Sequence, residues 1–129
     1  MTQEDKELLL KDLCARLPYG IKASYYGVEE EREIWDEIEC VTLDGYVDIG
    51  QYSLPIESIK PYLFPLSSMT EEEWADYQKI RMIDWVFGDI NGTFINAGSI
   101  ADWLNAHHFD YRGLIEKGLA IDATGLNIY

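Results

Sequence analysis

The chain has 129 residues, 47% hydrophobic and 13% aromatic, with 24 acids against 10 bases and a formal net charge of −14. That length and apolar content suit one globular domain with a sizeable core and exclude a disordered tail. Both halves are acidic, with 14 acids and 6 bases through Lys60 and 10 and 4 beyond it, which argues against direct binding to nucleic acid or an anionic membrane, since both need clustered Lys and Arg.

Thr2 is placed to cap a first helix, with Asp5 as a short substitute for the Glu of a capping box. Leu8, Leu9, Leu10, Leu13 and Leu17 carry that helix to a stop at Pro18 and Gly20. Residues 21–26 then alternate Ile21, Ala23 and Tyr25 against Lys22, Ser24 and Tyr26, the period of a strand. A turn over 27–31 leads to a second strand over 33–43. There Trp35, Val41 and Leu43 share one parity and Ile34, Ile38 and Cys40 the other, which leaves the buried face open. Asp44-Gly45 is a hairpin turn, and 46–52 returns as the next strand.

Residues 53–66, SLPIESIKPYLFPL, hold three of the four prolines and read as a packed connector between a β-rich half (1–66) and a mainly helical half (67–129). Thr70 and Glu73 then form a capping box for a helix through Trp74, Tyr77, Ile80 and Arg81. Residues 85–87 and 93–95 flank Asn91-Gly92 and predict a second small hairpin. The stretch 99–121 predicts a helix capped by Ser99, with Ile100, Trp103, Leu104 and His107 as its buried stripe. A corner follows, then a short helix capped by Asp110 and ended by Gly118. Strands early and helices late make the expected fold α+β: one domain over 1–129, built on a small curved antiparallel sheet of about three to five strands, barrel-like in one form.

Residues 59–73 (IKPYLFPLSSMTEEE), 103–124 (WLNAHHFDYRGLIEKGLAIDAT) and 13–20 (LCARLPYG) resemble segments of small uncharacterised acidic proteins from gut anaerobic bacteria and their prophages. The resemblance covers roughly a third of the chain and implies an accessory gene of a mobile element, with no assigned chemistry. Residues 28–39 lie outside it, so what is peculiar to this chain is expected there.

Candidate chemistry is sparse. His107 and His108 are adjacent, so on a regular helix they point ~100° apart and cannot share a metal. A metal-dependent hydrolase would need one of them with Asp102, Asp110 and a cysteine; the simpler expectation sets one imidazole toward the core and the other near the helix's negative pole. Asp110-Tyr111-Arg112 reads as an ordinary helix start, with Arg112 pairing to Glu116. Asp89-Ile90-Asn91-Gly92 lacks the first acid and the closing Glu of a calcium loop. Cys14 and Cys40 are too few for a disulfide framework and read as reduced, buried, small apolar groups. With no leader-like N-terminus and no apolar run of membrane length, the expected location is cytoplasmic.

One feature stands out. Glu29, Glu30, Glu31, Glu33, Asp36, Glu37 and Glu39 place seven acids within eleven residues, interrupted by a single cation, Arg32. Tyr25, Tyr26 and Trp35 lie among them. Such a run is either a solvated turn and strand or an acidic stripe with aromatic anchors that docks a basic protein surface. The expected function is therefore non-enzymatic protein binding, with no catalytic residues, metal or cofactor. In the context that the resemblance implies, this would be inhibition of a host defence or nucleic-acid-binding protein. The alternatives are the His107/His108 hydrolase and a module that sequesters a small ligand.

Overall fold

The computed structural model describes the backbone of residues 1–91 and 99–129 and the side chains of 1–82 and 100–129. Helix α1 (Gln3–Arg16) starts where Thr2 Oγ1 accepts the Asp5 N–H at 3.1 Å, and it ends ahead of Gly20, whose φ of +77° turns the chain into the sheet. Four antiparallel strands follow as a meander: β1 (Lys22–Gly27), β2 (Arg32–Val41), β3 (Tyr46–Ile49) and β4 (Tyr52–Pro55). Strand β5 (Lys60–Pro65) crosses back to lie beside β1. Helices α2 (Glu71–Asn91) and α3 (Ser99–Ala106) come next, and two-residue strands β6 (Phe109–Asp110) and β7 (Ile121–Asp122) both pair in parallel with β5. The fold is α+β, with a mostly antiparallel seven-stranded sheet that stays open rather than closing into a barrel.

The core lies under one face of this sheet. Leu9 and Leu13 of α1 pack against Ile21, Ala23, Tyr25, Ile38, Val47, Ile49 and Leu63, and Leu114 and Leu119 close its far side. The alternation of β1 emerges as expected. The parity left open in β2 changes at an irregularity between Ile38 and Cys40, and the strand ends at Val41, with Trp35, Cys40 and Leu43 exposed. Ile34 and Ile38 face the core before this bulge and Val41 packs there after it, because one extra residue exchanges the faces of a strand.

Several expectations are corrected. The strand over 46–52 is two strands folded at Gly50-Gln51, where Gly50 has φ +58° and a Cβ would meet the Tyr25 hydroxyl at 2.5 Å. Residues 53–66 are not a connector: they form β4 and β5. Strand β5 meets β1, β7 and β6 through two residues each. Pro61 and Pro65 stand at the ends of the β1 and β6 ladders, opposite Ala23 and Asp110, where a missing N–H stops the pairing without interrupting it. This sharing ties the two halves of the chain into one sheet. Residues 85–87 continue α2 as helix rather than hairpin, while 93–95 and the Ser99 side chain lie outside the described residues.

No helix forms after Asp110. Its carboxylate still accepts the Leu114 and Ile115 N–H groups, at 3.0 and 2.9 Å, but they belong to a sequence of turns closed by Gly118 at φ +75°. Arg112 pairs with Asp12 at 2.7 Å rather than with Glu116. His107 is exposed, Ile100 and Trp103 are half-buried, and both cysteines are exposed rather than buried. The capping box of α2 is as expected, with Thr70 and Glu73 exchanging hydrogen bonds at 2.9 and 3.1 Å. Among the described residues, no helix is long and apolar enough to cross a membrane.

Candidate acidic docking face

The side of the sheet opposite the core divides in two. Over β5 it is covered by the C-terminal segment: Ala123 and Ile128 pack on Tyr62, with Phe64 and Ile121 beside them. Tyr129 fastens this cover. Its hydroxyl accepts the Lys22 N–H at 3.0 Å and donates to the Tyr62 carbonyl at 2.9 Å. Burial, the largest cause, pushes the pKa of this phenol above its ordinary value. Over β1–β3 the same side is, among the described residues, open beyond Lys22.

The register of β1 and β2 sets what stands there. Tyr26 lies opposite Glu33, Ser24 opposite Trp35 and Lys22 opposite Glu37, with all six side chains directed away from the core that holds Ala23 and Tyr25. Tyr26 is 52% exposed and Trp35 46%. Strand β3 adds Tyr46, 44% exposed, and Asp48, paired across from Cys40. The Lys22 ammonium sits 5.2 Å from the centre of the Trp35 ring and 5.5 Å from that of Tyr129, and donates to the Ile128 carbonyl at 2.8 Å. Charge on this side is graded: Lys22 and Lys60 lie on β1 and β5, whereas Glu33, Glu37 and Asp48 lie on β2 and β3, with exposed Glu39 at the bulge.

The ten residues singled out from the sequence therefore fall into separate groups. Glu33, Trp35, Glu37 and Tyr26 share the outer face. Glu29, Glu30 and Glu31 form the β1–β2 turn, where Glu31 has φ +56°. Glu29 accepts Gln51 Nε2 at 2.9 Å and Glu30 accepts the Tyr52 hydroxyl at 3.0 Å, so these two carboxylates tie the turn to the next hairpin. Asp36 lies on the opposite parity, near the Tyr25 hydroxyl. Tyr25 is 3% exposed, stacks edge-on against Tyr52 at 5.7 Å and has its pKa raised, first by burial and then by Asp36. It is a core residue rather than a surface anchor. Tyr46 and Asp48 were missed, although their alternation with Val47 and Ile49 is visible in the sequence.

The histidines diverge. His107 stacks on Trp103 at 4.2 Å with Nδ1 2.9 Å from the Trp103 carbonyl, at the negative pole of α3. His108 has φ +62° and stacks on Tyr129 at 3.6 Å. Burial, then the charge of Arg16, lowers its pKa to about 4. Among the described residues no three His, Cys, Asp or Glu side chains stand close enough to hold a metal. A groove of about 360 Å³ runs between Pro65 and Glu116, but its Asp110 carboxylate is already taken by backbone N–H groups.

A feature with no forewarning lies beneath α1. Asp12 and Arg16 are fully buried, Arg16 Nε donates to Asp12 at 2.8 Å and Nη2 to the Phe109 carbonyl at 2.7 Å, and Arg112 takes the second Asp12 oxygen. Both guanidiniums face the Tyr111 ring, whose hydroxyl donates to Asn105. The i,i+4 spacing of Asp12 and Arg16 was legible, but on a helix it reads as a surface pair.

Comparison with known proteins gives no match: no family model fits the chain, no curated protein is similar to it and no solved structure matches it.

Proposed function

We propose that the chain is a non-enzymatic binding protein that docks a basic protein surface on the uncovered outer face of β1–β3. The observation that carries this reading is the exposed neighbouring pair Tyr26 and Trp35 on β1 and β2, set beside Glu33 and Glu37, with Glu39, Asp48 and exposed Tyr46 farther along the same face. Large aromatics are seldom left half-exposed together, and they are the residues that dominate binding energy when a partner covers them. Surrounding carboxylates repel one another in the free protein and steer a cationic partner onto the aromatics. Proteins that bind nucleic acid present such surfaces, and occupying one would inhibit its owner. An accessory gene of a mobile element would have use for that activity.

The test is a pull-down from host lysate at low and high salt, with the wild-type chain and a variant carrying Glu33→Lys, Glu37→Lys and Glu39→Lys. These carboxylates lie outside the core, so the melting temperature should hold. The reading requires a basic partner that is lost from the variant and released by salt, as exposed charge pairs are screened beyond about 10 Å at 0.1 M. Capture that ignores the reversal would end it.

A further inference from the structure

We propose that the partner presents an extended basic segment, lying along β2 with cations four residues apart over Glu33 and Glu37 and the intervening side chain on Trp35. This rests on the docking reading above and adds the local conformation of the partner.

The three positions lie at successive outward places on the part of β2 paired with β1, ahead of the bulge. A strand advances about 3.3 Å per residue, so successive outward side chains stand roughly 7 Å apart and the two carboxylate positions roughly 13 Å apart. An extended partner has the same period: its side chains at i, i+2 and i+4 meet Glu33, Trp35 and Glu37 in turn. On a helix, i and i+4 are only about 6 Å apart, and a reach of roughly 13 Å takes about nine residues.

The charge gradient fixes where the segment lies. Lys22 and Lys60 repel it from β1 and β5, and Glu33, Glu37 and Asp48 draw it over β2 and β3. The chemistry of the central position is already present within the chain, where the Lys22 ammonium rests against the Trp35 indole. The ring face accepts a cationic side chain and its apolar body accepts an aliphatic one.

Two labelled peptides of identical composition separate the possibilities by fluorescence anisotropy with the full chain at low salt. One carries two arginines four positions apart around a leucine in a β-favouring background; the other carries the arginines side by side. The spaced peptide should bind about tenfold more tightly, a difference of about 1.4 kcal/mol. That preference should vanish in the Glu33→Lys, Glu37→Lys double variant. Equal affinities that are both lost in the double variant would overturn the extended segment and leave the acidic face standing. Binding by neither peptide, or binding indifferent to the double variant, would overturn both.

Discussion

The two faces of β2 carry different burdens within one strand. Ile34 and Ile38 look inward to a core of aliphatic side chains under α1, while Glu33, Trp35 and Glu37, interleaved with them, look outward to solvent. On the inner side the aliphatic side chains pack against one another and against α1. On the outer side three aromatics and several carboxylates are exposed, and among the described residues the cover lies at the β5 end, where the C-terminal segment packs. Inner positions should therefore govern stability, and outer positions should govern association with little effect on folding.

The largest effect belongs to the charge buried beneath α1. Asp12→Ala removes the carboxylate that serves both Arg16 and Arg112, and leaves a fully buried guanidinium uncompensated. Breaking a buried pair from one side costs about 3–5 kcal/mol. Urea unfolding should show that loss; a cost under about 1 kcal/mol would mean that water reaches the pair and that the inner side is less closed than drawn.

A comparison on one strand sharpens the contrast. Ile38→Ala empties a core position and should cost about 2–4 kcal/mol. Trp35→Ala, three residues away, forfeits half-exposed area and the Lys22 contact, and should cost about 1 kcal/mol or less. The same Trp35→Ala chain should lose binding to the spaced arginine peptide. If the two unfolding costs came out equal, the outer face would be part of the fold and not a free surface.

What the sequence made legible follows the range of the interactions. The Thr2 and Thr70 caps, the alternation of β1 and the Asp44-Gly45 hairpin depend on neighbours within a few residues, and all four are present. The ambiguous face of β2 was itself information, since two competing parities are the mark of a bulge. Strand β5 was illegible because prolines hide a strand and its three partners come from distant parts of the chain. The Asp12–Arg112 contact spans 100 residues and leaves no local pattern. At the candidate site the acids were visible, but spacing alone could not sort turn from strand, whereas the parity that sets Tyr25 with Ile21 and Ala23 already turned it inward, against its reading as a surface anchor.

A change of pH probes the cover over β5, where the C-terminal segment lies on the outer face. The His108 imidazole lies against Tyr129, with Arg16 from α1, Lys22 from β1 and neighbouring His107 all opposing its protonation. Its pKa is lowered to about 4 in the fold, against about 6.5 in an unfolded chain. Between those values the unfolded state binds the extra proton, so stability rises with pH across the window. The contribution is complete above about pH 6.5 and is lost as the pH falls toward 4. His108→Asn keeps a residue that tolerates positive φ while removing the titration. Relative to the wild type, this variant should lose less melting temperature between pH 7 and pH 5. Parallel losses in the two chains would mean that the imidazole is already hydrated and that the C-terminal cover lies loosely on β5, which would extend the open surface across the whole outer side of the sheet.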